Sequence, residues 1–515
     1  MNALRRFLLT GCAALFAFGA AAEAPTLAPA SAPAPAQRPS PGGPDALTLI
    51  AEAELSGQVA YIVMDLDSGA ALEGGDIDLP LPPASVAKAP SALFALDMLG
   101  PDHRFETRLI ALGDMRDGVL KGDIVLQGGG DPELDSNTLD LLAYRAGEAG
   151  LKRVDGRFIV DGQLLPTIER IDMSQPETAA YNPSVGALNL NFNRVFAEWT
   201  RKGGNHDFRV EARAEGMSPA TTAVRLEVAD ATRSGAVFDY LGAGEDEGGP
   251  ETWRVAKSAL GAKGARWLPV RRPAPYAGEV MRELCAEAGI ALPEPVEGAA
   301  PLVSEVLARV ESRPLSAVLQ DMLKYSTNLT AEAVGMAAAR ANGASPDTLA
   351  ASAAAMNAWA ASFAGFPQGD PGFQLTNHSG LAPDSRTSVR RLAEILAAGA
   401  KRGFPALDGG RAATLKGLLP QRNYLDKGAT APPIEASVRA KTGTMNFVSA
   451  LAGYIEPERG RRMVFAIIMA DLSARDAIAD QEIESPPGAR AWSGRARALQ
   501  RALIRSWISR FAAPA

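Results

Sequence analysis

The sequence is poor in histidine and cysteine. Only three of its 515 residues are histidine (His103, His206, His378) and only two are cysteine (Cys12, Cys285), all well separated. There is no HExxH and no paired Cys/His spacing, which argues against a structural or catalytic zinc site, and no cofactor is expected. A basic excess is also missing: the formal net charge is −7, so no field recommends nucleic acid as a partner. Gly128-Gly129-Gly130 lacks the Lys-Ser/Thr of a phosphate loop and reads as a turn after a strand. The chemistry is therefore expected to run without a His base or a metal.

The amino-terminal stretch carries an address. Arg5 and Arg6 precede an apolar run from Phe7 to Ala22 that ends in Ala20-Ala21-Ala22. This is the pattern of a secretory signal peptide over 1–22, and the run falls short of the ~20 apolar residues of a membrane span. Cleavage between Ala22 and Glu23 predicts a periplasmic protein. Leu9-Thr10-Gly11-Cys12 offers the alternative of a lipoprotein anchored through Cys12. After cleavage at Ala22, Cys285 is the one cysteine left, so no internal disulfide is expected. Residues 23–45 form a Pro/Ala-rich tract that cannot bury a core and reads as an extended tether.

Folded structure is predicted from Ala46, with a strand near Val59–Leu66 and a helix over Ser85–Leu99. From His103 the texture changes to short alternating runs, including 122–127, 156–160, 187–193 and 223–228, separated by Gly, Pro and Asp. Helical patterns return at 276–289, 315–325, 329–341, 347–365 and 387–398. Three strands (438–445, 447–455, 463–472) and a helix over 491–511 follow. The length suits more than one core, since single cores stop growing near ~250–300 residues. The expected fold is an α/β (α+β) domain, built from 46–102 plus 276–511 and split by a mainly-β insertion at 103–275. The last helix has six Arg and no acid between Arg490 and Arg510. It reads as packed on the three-stranded sheet, with peripheral membrane contact as the alternative.

Three motifs occur once each and in this order: Ser85-Val86-Ala87-Lys88, Ser326-Thr327-Asn328 and Lys441-Thr442-Gly443. At a helix start, residues three apart share a face, so Lys88 can reach the Ser85 hydroxyl. A serine needs a group to take its proton, and Lys88 can do so if burial and a neighbouring cation such as Lys441 hold its pKa down. Ser326 is placed to relay a proton to the leaving amine, and Asn328 to grip a substrate amide. Lys441, Thr442 and Thr444 suit a substrate carboxylate, while Gly443 lets a peptide lie against the strand. The amides of Ser85 and Thr444 would form an oxyanion hole.

The ordered trio is the one used by penicillin-recognising serine enzymes. With it come Pro83-Ala84-Ser85, the stretches KGDIVLQGGGDPEL, VGALNLNFNRV and NLTAEAV (from Asn328), and LAGYI after the KTG strand. On these residues the chain resembles the class C low-molecular-mass penicillin-binding proteins, of the D-alanyl-D-alanine carboxypeptidase/endopeptidase type. The long interval between Ser85 and Ser326 fits this type better than compact β-lactamases. The resemblance implies an antiparallel sheet flanked by helices and a serine acyl-enzyme mechanism. It makes Ser85 the nucleophile, Lys88 the base, Ser326 the relay, and Asn328, Lys441, Thr442 and Thr444 the substrate side. Peptidoglycan stem peptides ending in D-Ala-D-Ala are the implied substrate, and β-lactams the implied covalent inhibitors. A catalytically silent peptidoglycan-binding module and a β-lactamase remain as alternatives. Two departures stand out. Thr327 replaces the usual Asn or Asp, and Asn377-His378 begins a segment that often reads Asp-Gly-Ser-Gly-Leu, altering the expected cleft edge.

Overall fold

The computed structural model describes residues 43–232, 237–243, 249–301, 305–406, 412–425, 432, 434–478 and 486–513. The predicted signal peptide, Cys12 and the tether up to residue 42 lie outside the described residues. No helix among the described residues is long and apolar enough to cross a membrane.

A five-stranded antiparallel sheet joins distant parts of the chain, in the order Ala436–Met445, Val448–Pro457, Met463–Ala470, Gln58–Asp65, Ala71–Gly75. Its register pairs Val63 with Phe465 and Gly443 with Ala450. Strand residues alternate between faces, and here both faces are covered. Val464, Ala466 and Ile468 enter a core with Ile62, Leu93 and Leu396, whereas Phe465, Ile467 and Met469 enter another with Tyr61, Leu503 and Trp507. The strand Met463–Ala470 is therefore buried throughout, which is why its sequence is apolar without alternation.

The second face is closed by the helices Ala46–Ala53 and Ala489–Phe511. Trp492, Leu499, Leu503, Trp507 and Ile508 are buried there. Trp507 Nε1 donates to Glu73 Oε2 at 2.7 Å, and Arg510 Nη1 meets Glu73 Oε1 at 2.7 Å. The apolar side chains that suggested a membrane-lying helix are the ones occupied by the sheet.

The first face carries the helices Lys88–Leu99, Leu315–Tyr325, Asn328–Ala341, Leu349–Ala364 and Val389–Lys401. Every residue from Lys88 to Leu96 is buried, so this helix is an axle rather than an amphipathic cover. Pro90 is tolerated because first-turn amides lack intrahelical partners.

The middle of the chain builds a six-stranded sheet whose main path is Pro295–Glu297, Phe158–Asp161, Val119–Gln127, Glu106–Arg116, Glu305–Glu311. Two three-stranded sheets accompany it. Three expectations need correction. The helix Pro273–Glu287 packs in the core of this middle region, and the strands at 295–297 and 305–311 pair with its sheet, so the chain rejoins the helices of the first core after Glu311 rather than at 276. The middle region also holds a helix, Ser136–Glu148, capped by Asp135 and burying Leu139, Leu142, Ala143 and Ala146. Finally, the alternating stretch at 187–193 is not a strand. Asn191, Phe192 and Asn193 have φ of +51°, +59° and +49°, and the asparagines serve buried hydrogen bonds instead of a solvent face.

Candidate active site

Ser85 sits in a single 3₁₀ turn, Ala84–Ala87, that runs directly into the buried helix Lys88–Leu99. Ala84 before it is held at φ +48°, an unusual conformation for a residue with a Cβ. The turn brings Lys88 back beneath the serine, with Nζ 3.0 Å from Ser85 Oγ. Lys88 is fully buried, and its amine also donates to Asn328 Oδ1 at 2.7 Å and to the Ser379 carbonyl at 2.9 Å. Burial lowers the Lys88 pKa well below the ordinary lysine range; Lys441 lowers it further, and Glu332 opposes the shift.

The middle motif occupies the break between two helices. Ser326 ends the helix Leu315–Tyr325 in the left-handed conformation at φ +63°, Thr327 is extended, and Asn328 starts the next helix. This reversal aims Ser326 and Asn328 at the two lysines. Lys441 Nζ donates to Ser326 Oγ at 2.9 Å and to the Thr442 carbonyl at 2.8 Å. Burial, with Arg422 nearby, brings Lys441 down to about 7.

Lys441, Thr442, Gly443 and Thr444 lie on the edge strand Ala436–Met445. Lys441 and Gly443 are buried while Thr442 and Thr444 are exposed, as period-two alternation requires. A Cβ on Gly443 would lie 2.8 Å from the Pro83 carbonyl oxygen and 3.0 Å from Ser85 N. The glycine is thus needed first for contact between strand and serine turn, a closer cause than the peptide approach expected from sequence. A cleft of about 800 Å³ opens over Ser85, Ser326, Asn328, Gly380 and Thr444.

The structure brings together all three motifs and adds groups the sequence did not single out. Asn328 Oδ1 is committed to Lys88, and its Nδ2 donates to the Tyr181 carbonyl at 2.9 Å, so this amide organises the base as well as facing the cleft. Glu332, one turn along the same helix, is buried with its carboxylate on the amides of His378 and Ser379. Its i+4 spacing from Asn328 was a usable signal. The Ser379 carbonyl, being backbone, had none. Asn377 and His378, expected at the cleft edge, are buried behind it, and only Gly380 and Leu381 of that segment reach the cleft wall. Cys285 is buried far from such chemistry in character: burial pushes its thiol up to about 12.

The chain matches the D-Ala-D-Ala carboxypeptidase 3 (S13) family over residues 46–486. It is 27% identical over 487 residues to a D-alanyl-D-alanine carboxypeptidase of Actinomadura sp. (strain R39), covering 87% of this chain and 86% of the relative. Among solved structures, penicillin binding protein 4 (dacB) from Haemophilus influenzae superposes with a TM-score of 0.68 at 20% identity, covering 90% of this chain and 98% of that one. The same Haemophilus protein in complex with a β-lactam gives a TM-score of 0.66 at 20% identity, covering 89% and 98%.

Proposed function

The chain belongs to the D-Ala-D-Ala carboxypeptidase 3 (S13) family and is a serine-type carboxypeptidase of peptidoglycan, and from that premise we propose an acyl-enzyme mechanism through Ser85 with Lys88 as its base. The observation that carries this reading is the surroundings of the Lys88 amine. A neutral amine has two hydrogens and one lone pair. Asn328 Oδ1 and the Ser379 carbonyl can only accept, and so take the two hydrogens. The lone pair is left for the third neighbour, the Ser85 hydroxyl at 3.0 Å.

In the proposed reaction Ser85 Oγ attacks the carbonyl of the penultimate D-alanine as its proton passes to Lys88. The Ser85 and Thr444 amides stabilise the oxyanion, and such donors commonly contribute about 10²–10³-fold in rate. Collapse breaks the peptide bond and releases D-alanine, whose amine receives a proton through Ser326, which bridges toward Lys441. Water then hydrolyses the ester. Thr442, Thr444 and Lys441 hold the terminal carboxylate, and the edge strand lends backbone groups to the extended peptide. A strained β-lactam carbonyl fits the same place and would acylate Ser85.

Upstream, we read 1–22 as a signal peptide and 23–45 as a tether that deliver the enzyme to the periplasm. The β-lactamase and silent-module alternatives are not favoured by the family match. The decisive assay is release of D-alanine from a peptide ending in D-Ala-D-Ala. Turnover by the wild type and its loss in Ser85→Ala are expected, and undiminished turnover by Ser85→Ala refutes the mechanism.

A further inference from the structure

Glu332 is fully buried in a protein interior where an ionised carboxylate is costly to keep. It lies on the helix Asn328–Ala341, and its two oxygens accept from successive amides, His378 N at 2.9 Å and Ser379 N at 2.8 Å. Two donors from adjacent residues on one carboxylate fix the peptide plane between them. The next group along that backbone is the Ser379 carbonyl, 2.9 Å from Lys88 Nζ. The segment is pinned at other points too. Asn377 Oδ1 accepts from Gly380 N at 3.0 Å, and Ser91 Oγ donates to the His378 carbonyl at 2.8 Å. Gly380 turns at φ +74°, where a Cβ would strike the Ala84 carbonyl oxygen.

We propose that Glu332 is a positioning residue of the acylation step, holding the Ser379 carbonyl against the Lys88 amine and supplying the negative charge that balances Lys88 once it has taken the serine proton. This rests on the reading of Lys88 as the base. When Ser85 attacks, a positive charge develops on a buried amine. From the adjoining edge strand Lys441 disfavours that charge, and Arg422 adds to the field on Lys441. From the segment 377–380, His378 is buried and kept neutral, its ring pushed down to about 3. Among the described residues Glu332 is the acid that acts on Lys88 in the opposite sense. Burial is the largest influence and holds the Glu332 carboxyl above the ordinary carboxylate range, while the Ser379 side chain, the two amides and Lys88 oppose it by favouring the charged form. With both oxygens receiving N–H donors, the ionised state is the one the geometry is built for.

The test is the rate of Ser85 acylation by benzylpenicillin as a function of pH, in wild type, Glu332→Gln and Glu332→Asp, with folding checked by near-UV circular dichroism. Gln removes the charge and turns one acceptor into a donor facing an amide. Its acylation rate should fall on the order of a hundredfold, the scale of a 1 Å misplacement. Its acid limb should also move to lower pH, because the Lys88 cation loses its counter-charge. Asp keeps the charge but not the reach, so its limb should stay with the wild type while its plateau drops. A Glu332→Gln profile that is merely scaled down, with the limb unmoved, overturns the proposal. If that variant does not fold, an Asp variant with full rate or a displaced limb does so. A folded wild type that is never labelled on Ser85 overturns the base reading itself and this inference with it, which separates the two failures.

Discussion

Gly443 of the edge strand and Ser85 of the 3₁₀ turn are in backbone contact, close enough that a methyl group on Gly443 would sit 3.0 Å from the Ser85 amide nitrogen. The contact presses the strand that carries Lys441 and Thr444 onto the turn that carries the serine. Gly443→Ala must open this seam by a few tenths of an ångström or more, displacing the oxyanion donors. Acylation by benzylpenicillin should slow on the order of a hundredfold, and the melting temperature should fall as well, because the clash is with buried backbone atoms. A rate within twofold of wild type would show that the seam is not part of the machinery.

Removal of Lys441 should be read through Lys88. The Lys441 cation helps to hold the Lys88 pKa down, so Lys441→Met should raise it and move the acid limb of acylation to higher pH. Loss of the Ser326 contact should separately lower the plateau, within the ~10²–10⁴-fold range of proton-transfer assistance. Stopped-flow acylation across pH measures both effects. A limb that moves to lower pH contradicts the electrostatics described for this pair.

The three motifs, the five-stranded sheet's late strands and most helices of the first core were legible because each depends on local order. Ser85 and Lys88 are one turn apart, and the Val438–Leu472 stretch alternates or runs apolar as strands do. What escaped was set by tertiary contact. The stretch at 187–193 has strand-like alternation, yet it ends in a left-handed bend at 191–193, and Asn189, Asn191 and Asn193 satisfy buried groups. The helix Ser136–Glu148 has a readable cap in Asp135 and apolar spacing at 139, 142, 143 and 146, a signal masked by the strand-like texture on either side. The Ser379 carbonyl beside Lys88 carries no side-chain signature, and Glu332 acquires meaning only when its helix meets that segment.

The C-terminal helix gives a stability prediction. Trp507 is fully buried against Tyr61 and Phe465, with its indole N–H on Glu73. Trp507→Ala should cost about 3–5 kcal/mol, seen as a lower urea midpoint at unchanged slope. A change under about 1 kcal/mol would mean that the helix is not part of this core.

His378 makes stability depend on pH. Its folded pKa is about 3 against an ordinary 6.5, because burial penalises the cation. Between these values the unfolded chain binds the extra proton, so the histidine's contribution is present above pH 6.5 and is lost as pH falls toward 3. The expected slope is about 1.4 kcal/mol per pH unit for one proton. Unfolding of wild type and His378→Gln at several pH values isolates it. An identical pH dependence in both proteins would contradict a neutral buried ring.

The most direct measurement is the intact mass of the folded protein after incubation with benzylpenicillin, followed by peptide mapping. Opening the β-lactam by Ser85 Oγ adds the whole drug to the protein, and its tethered leaving group slows hydrolysis. One adduct per chain, located on Ser85 and lost in Ser85→Ala, is the predicted result. Lys88→Ala should be nearly unlabelled, since general-base help typically contributes ~10²–10⁴-fold. Folded wild-type protein that takes up no drug, or carries it on another residue, would contradict the mechanism.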